Sequence, residues 1–151
     1  MERNLFNNMV AEVRVDLYPK MKVKDMFQVG NSNDAYELLR SGWPEINYRE
    51  SFQVLFLNRA NKAVGIKEIS KGGISGTVID VRMILQAALG CSSSSIILAH
   101  NHPSGTMVPS EADRKITRKI KEAANLMDIT TLDHLILSDE TYYSFADEGI
   151  L

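Results

Sequence analysis

The chain has 151 residues, of which 44% are hydrophobic and 24% are charged, and its formal net charge is −2. This length suffices for one domain with a substantial core, and the slightly negative charge provides no general attraction to nucleic acid. No apolar run approaches the roughly 18 residues that a membrane helix requires. No secretion signal is recognisable, and the only cysteine, Cys91, excludes an internal disulfide framework. We therefore expect a cytoplasmic protein in which Cys91 is a buried structural thiol.

The first quarter of the chain predicts an arm followed by a helix. Apolar residues over 10–17 indicate a strand that Pro19 ends. We interpret residues 1–30 as an amino-terminal arm or edge strand. The first helix is expected to begin near Ser32 or Asn33, since either side chain can cap its first turn.

The middle of the chain predicts a hairpin and a second helix. Residues 52–57 predict a strongly buried strand, and a turn-forming stretch separates them from a second strand over 63–69. The glycine-rich connection over 71–76 lacks the Gly-Lys-Ser/Thr ending of a phosphate-binding loop. Asp80 can cap the helix that follows, whose apolar stripe ends at Gly90.

The last third predicts a buried strand, a long helix and a second hairpin. The strand begins at Ile96, and the helix begins after Ser110, with Asp113 in the acidic position of a capping box. The hairpin is expected over 134–145. The buried face of the long helix is predicted to consist of Ala112, Ile116, Ile120 and Ala123. Strands interleaved with three helices indicate an α/β fold with a mixed sheet covered on both faces.

His100, His102 and Asp113 are candidate metal ligands. Two histidines two residues apart lie on the same side of an extended strand, and the intervening loop returns the chain to a carboxylate on the first turn of the next helix. Two nitrogens and one oxygen leave a tetrahedral position for water, as in a catalytic zinc site. The spacing alone leaves alternatives open: the histidines can simply bond the loop, and Asp113 can simply cap its helix. Glu111 is a rival third ligand.

These residues resemble the JAMM motif of the JAB/MPN metalloproteases, and most closely that of the RadC branch, whose members are often named DNA repair proteins. The similarity extends over about residues 32–151. It is carried by His100-Asn101-His102-Pro103, by Ser110 and Asp113, by Asp133 to Ile136, by Val54 to Asn58 and by Gly72 to Thr77. The resemblance implies a JAB/MPN domain over 31–151, with the cytidine-deaminase-like three-layer architecture. It also implies that His100, His102 and Asp113 bind Zn²⁺.

The resemblance further implies two catalytic residues. The family pattern has a glutamate just before the first core strand, where Glu50 stands. This glutamate handles the proton of the attacking water. Ser110 matches the serine that stabilises the oxyanion, which is compatible with a helix cap. Glu45 competes with Glu50, while His134, on a predicted buried strand, is expected to be a hydrogen-bonded core histidine rather than a fourth ligand.

These assignments lead to two hypotheses about function. The first is a zinc-dependent metallopeptidase or isopeptidase of the JAMM type that acts on a protein or peptide. The alternative is a non-catalytic, metal-stabilised module of DNA repair that binds DNA or a protein partner. The basic face of the 111–126 helix lacks interleaved aromatic residues and is expected to be a solvated surface. A magnesium nuclease is disfavoured because its sites rely on carboxylates rather than on paired imidazoles.

Overall fold

The computed structural model describes residues 11, 13–14, 21–72 and 78–151. The edge strand predicted over 10–17 and most of the glycine-rich connection lie largely outside these residues. The helices are α1 (Ser32–Ser41), α2 (Val81–Gly90) and α3 (Glu111–Leu126). The strands are β1 (Ser51–Leu57), β2 (Ala63–Lys71), β3 (Ser95–Asn101), β4 (Thr130–Leu137) and β5 (Tyr142–Ser144). None of the helices in this part of the chain is long and apolar enough to cross a membrane.

The five strands form one mixed sheet in the order β2-β1-β3-β4-β5. Strand β1 pairs antiparallel with both β2 and β3, which confirms the first predicted hairpin. Strand β4 pairs parallel with β3 and antiparallel with β5. The crossover between the two parallel strands contains α3, as parallel pairing requires a long connection. The fold class predicted from the sequence is therefore confirmed.

Helices cover both faces of the sheet, so the domain has three layers. Strands β1 and β3 are buried along their whole length, as expected for central strands with covered faces. In β3 the side chains alternate: Ile97 and Ala99 pack in the cluster that includes α1, whereas Ile96 and Leu98 pack in the cluster that includes α2 and α3. The same alternation directs His100 toward the α2 and α3 side.

Two local predictions were wrong in part. The first helix begins at Ser32 as expected, but neither Ser32 nor Asn33 caps it. Helix α1 is capped by Asn31, whose side chain accepts a hydrogen bond from the Asp34 N–H, because Asn31 is the last residue with extended backbone. Of the four residues predicted for the buried face of α3, only Ile120 is fully buried. On α3 the buried stripe consists of Thr117, Ile120 and Ala124. Ala112 is exposed, since the inward-facing residue of the first turn is Asp113.

Two further expectations can be compared with the structure. Asp80 caps α2, as predicted. Cys91 is only half-buried, and this burial raises the pKa of its thiol. A thiol with a raised pKa is a poor nucleophile, which agrees with a structural role.

Candidate metal centre

The paired histidines lie at the carboxyl end of β3, at the edge of the sheet where α3 begins. His100 is the second-last residue of the strand and is 2% exposed, whereas His102 follows the strand and is partly exposed. Their Nε2 atoms are 2.9 Å apart. The spacing of two residues thus brings both imidazoles to one point, as the sequence predicted.

The loop after His102 orients its ring. The Gly105 N–H donates to the carbonyl of His102 at 2.9 Å, and Gly105 adopts a φ of 78°. This left-handed conformation strongly favours glycine. The turn brings the Thr106 carbonyl to 2.6 Å from Nδ1 of His102. Since a carbonyl can only accept, Nδ1 carries the hydrogen, and Nε2 of the neutral ring is left with a lone pair.

Asp113 faces both histidines from the first turn of α3. Its Oδ1 lies 3.3 Å from Nε2 of His100, and its Oδ2 lies 3.5 Å from Nε2 of His102. The predicted capping box is present: Ser110 N–H donates to Oδ2 at 2.8 Å, and Asp113 N–H donates to Ser110 Oγ at 3.0 Å. Capping therefore fixes the carboxylate in the orientation that faces the imidazoles.

The ionisation of Asp113 and His102 is coupled. Burial alone would raise the pKa of the Asp113 carboxyl, but its contacts with the His100 and His102 imidazoles outweigh this effect and hold the pKa far below its usual range. The same contact raises the pKa of His102 above its usual 6.5, against the opposing effect of burial. A negative charge is therefore maintained beside the two rings at any pH near neutrality.

Glu50 contributes a second carboxylate to this site. It precedes β1, which pairs with β3 in the register Phe52 to His100. Glu50 is half-buried. One of its carboxylate oxygens lies within 4.8 Å of a ring nitrogen of His100 and of a ring nitrogen of His102, and these two nitrogens lie within the same distance of each other. These three residues form a group that could hold a metal ion, and Asp113 borders the same two imidazoles.

Asn101 connects the segment that carries Glu50 to the strand that carries the histidines. Its side chain is completely buried. Its Nδ2 donates to the carbonyls of Ile46 and Arg49, both at 2.7 Å, and its Oδ1 accepts from the Ser51 N–H at 2.8 Å. Both amide hydrogens are thus used. Asn101 therefore holds the chain on both sides of Glu50 at a fixed distance from β3.

The rival carboxylates lie elsewhere. The Glu111 side chain is 96% exposed, and its oxygen is 3.9 Å from Arg114. Glu45 pairs with Lys71 at 2.5 Å, and a hydrogen bond from that lysine lowers the pKa of Glu45. Neither belongs to the group of ionisable residues around the two histidines.

His134 is the buried, hydrogen-bonded core histidine that was expected. Its Nε2 is 2.7 Å from Nδ1 of His100, and its Nδ1 is 2.5 Å from Oγ1 of Thr117. The Phe145 ring stacks on the His134 ring at a centroid distance of 4.7 Å. Burial holds the pKa of His134 well below its usual value, so this imidazole is neutral.

Sequence reasoning missed the supporting roles of Asn101 and Thr117. Two signals were available. Asn101 stands between the two histidines, and side-chain alternation sends it to the opposite face of β3, where an amide needs partners. Thr117 follows Asp113 by one helical turn and therefore lies on the same face of α3.

The donor set fits a divalent metal ion. Both imidazoles direct Nε2 toward each other and toward a carboxylate, while both Nδ1 atoms already have other partners. Lone pairs of two ring nitrogens and of a carboxylate repel one another at these distances unless a positive charge lies among the three groups. Either a proton or a metal ion can supply that charge. Two nitrogens and carboxylate oxygens, with no thiolate in this group, are typical ligands of a catalytic zinc ion.

Comparison with known proteins identifies the class of this domain. The family model described as "RadC-like JAB domain" matches residues 29–150. The chain therefore belongs to the RadC-like family of JAB domains.

Named relatives agree with this assignment. The chain is 42% identical over 139 residues to a UPF0758 protein of Flavobacterium johnsoniae, covering 90% of this chain and 60% of the relative. It is 47% identical over 134 residues to a UPF0758 protein of Porphyromonas gingivalis, covering 88% and 59%. The UPF0758 protein YfjY of Escherichia coli is 42% identical over 103 residues, covering 68% and 64%. The chain thus spans about three fifths of the length of these relatives, whose names state no activity.

Proposed function

We propose that this chain is a zinc-dependent metallopeptidase or isopeptidase that hydrolyses a peptide or amide bond of a protein or peptide. The observation that carries the proposal is the convergence of two imidazole nitrogens and the Asp113 carboxylate at 2.9 to 3.5 Å, with the Glu50 carboxylate beside them. His100, His102 and Asp113 would hold the ion. This ligand number leaves one tetrahedral position open.

Glu50 is the proposed proton carrier. Zinc, when bound in such a site, polarises a carbonyl and makes water a nucleophile at neutral pH. Glu50 would accept the proton of the attacking water and deliver it to the leaving amine, a task that needs a carboxylate next to the reacting atoms rather than among the ligands. The bonds that Asn101 makes on either side of Glu50 hold this carboxylate in place.

Ser110 is the proposed oxyanion donor. Its oxygen accepts the Asp113 N–H, so its hydroxyl hydrogen is not used by the helix cap. The residue is exposed at the rim of the site. Its O–H can therefore donate to an oxygen that becomes negatively charged during attack on the carbonyl. Because the chain has one cysteine, we propose the reducing cytoplasm as its compartment.

The assignments of Asp113 and Glu50 can be separated by two conservative substitutions. In Asp113→Asn the amide oxygen can still accept from Ser110, which leaves the amide NH₂ facing the imidazoles and unable to bind a metal. We expect this variant to fold but to lose zinc. Glu50→Gln should retain one zinc per chain, because the glutamate is not one of the three proposed ligands.

The test combines elemental analysis with turnover of a mixture of internally quenched peptides. The metal-stripped protein is reloaded with zinc, and Glu50→Gln is expected to bind zinc but to lose cleavage. Glu45→Gln, the same substitution five residues earlier, serves as the control and should retain both. Cleavage by Glu50→Gln at the parent rate would overturn the role of Glu50. Zinc binding without any turnover by the parent would favour the non-catalytic module.

A further inference from the structure

A line of hydrogen bonds behind the site connects two of the residues proposed to hold zinc. Nδ1 of His100 contacts Nε2 of His134 at 2.7 Å, and Nδ1 of His134 contacts Oγ1 of Thr117 at 2.5 Å. The Thr117 hydroxyl in turn donates to the backbone carbonyl of Asp113 at 2.6 Å. The line thus begins at one proposed ligand and ends at another. All of its side chains are buried in the same layer of the core.

The direction of these bonds follows from the number of hydrogens. The Thr117 hydroxyl has one hydrogen, which it donates to the carbonyl of Asp113, a common arrangement for threonine in a helix. Its oxygen can then only accept from His134, so the hydrogen of the neutral His134 ring is on Nδ1. Nε2 of His134 must therefore accept from Nδ1–H of His100. The neutral His100 ring is left with a bare Nε2, which faces Asp113 and His102.

We propose that Thr117 and His134 are positioning residues that keep the Nε2 lone pair of His100 directed at the metal site. This inference rests on the proposed function, because it assigns a role toward the same zinc ion. The reverse arrangement, in which the hydroxyl donates to His134, would place a hydrogen on Nε2 of His100 and block that ligand. The backbone carbonyl of Asp113 thus selects the tautomer of a histidine through two intervening side chains.

The environment of His134 makes this selection effective. The ring is fully buried between Phe52, at a centroid distance of 5.5 Å, and Phe145, at 4.7 Å. A polar ring in such surroundings cannot turn to water when a partner is lost. Loss of the Thr117 hydroxyl therefore changes the hydrogen bond between His134 and His100, because water cannot reach His134 to replace the missing partner.

The test compares Thr117→Val with Thr117→Ser. Valine retains the shape of threonine but removes the hydroxyl, whereas serine retains the hydroxyl. Thr131→Val is the matched control, since the Thr131 hydroxyl is also buried but has no hydrogen-bond partner among the described residues. Zinc affinity is measured by competition with a chromophoric chelator. The tautomer of His100 is read from ¹⁵N chemical shifts of the metal-free protein.

We expect Thr117→Val to bind zinc about 10- to 100-fold more weakly, the usual effect of removing a partner of a metal-binding histidine. Thr117→Ser and Thr131→Val should bind like the parent. In the parent, His100 should carry its hydrogen on Nδ1, and Thr117→Val should reduce the population of this tautomer. Parent-like zinc affinity in Thr117→Val, or a parent His100 with its hydrogen on Nε2, would overturn the inference. The tautomer measurement needs no metal, so it distinguishes failure of this inference from failure of the zinc site itself.

Discussion

The substitution Asn101→Asp tests whether one buried amide holds the segment that carries Glu50. Aspartate can still accept from the Ser51 N–H, but it loses both bonds to the carbonyls of Ile46 and Arg49. It also places carboxylate oxygens against those carbonyls. Each buried carbonyl without a donor costs about 1–3 kcal/mol. Because both of these hydrogen bonds are only part-buried, we expect a total loss of about 2–4 kcal/mol in the free energy of unfolding.

Urea denaturation of the metal-free protein measures this loss. Asn58→Asp is the matched control. Among the described residues the Asn58 side chain accepts hydrogen bonds from the N–H groups of Ala60 and Lys62 and donates none, and aspartate can accept the same bonds. In a domain of this size a loss of 2–4 kcal/mol lowers Tm by about 4–16 °C. Hydrogen exchange over 46–51 should accelerate in Asn101→Asp alone. Equal stability of the two variants, with unchanged exchange over 46–51, would refute the role assigned to Asn101.

Four further predictions concern pH (two of them), the loop and nucleic acid. In the metal-free protein, the contact between Asp113 and His102 should contribute most to the stability of the fold between about pH 3.8 and 6.5. Because the pKa of Asp113 is lowered and that of His102 is raised, the contribution is lost only as the pH falls below this window or rises above it. Urea denaturation midpoints measured against pH check this, and a flat profile would contradict it. Zinc affinity, measured by calorimetry, should fall as the pH decreases through the raised pKa of His102, because the proton competes with the metal. Gly105→Ala should lower the free energy of unfolding by about 1–2 kcal/mol and weaken zinc binding. The cause is the φ of 78°, which disfavours a residue with a Cβ, and not a clash, since a Cβ at this position would meet no neighbouring atom within 4 Å. Parent-like stability and affinity would contradict the role of the turn. The zinc-loaded protein should show no salt-dependent binding to duplex DNA near physiological salt, and measurable binding there would support the non-catalytic module.

Much of this architecture could be predicted from local patterns. The largely apolar stretches of β1 and β3 identify central strands, and the Ser110 and Asp113 spacing defines the capping box. The two-residue spacing of His100 and His102 predicts a shared side of the strand. These features depend only on neighbours in sequence.

Other features of the site depend on how segments distant in sequence pack against one another. The position of Glu50 beside the two histidines follows from the pairing of Phe52 with His100, and spacing alone could not single out this carboxylate. The contact between His100 and His134 likewise requires the parallel register of β3 and β4. The rotation of α3 that buries Thr117 is decided by the packing of the whole helix, to which a four-residue apolar stripe is an imprecise guide.

The central claim is that His100, His102 and Asp113 hold one zinc ion with an open position. X-ray absorption spectroscopy of the zinc-loaded protein tests it most directly. We predict a four-coordinate ion with two imidazole nitrogens at about 2.0–2.1 Å and two oxygens, one from a carboxylate and one from water, at about 2.0–2.2 Å. Glu50→Gln should leave this spectrum unchanged, whereas Asp113→Asn should abolish it. A site with fewer than two imidazoles, or one that loses its metal in Glu50→Gln and retains it in Asp113→Asn, would contradict the account.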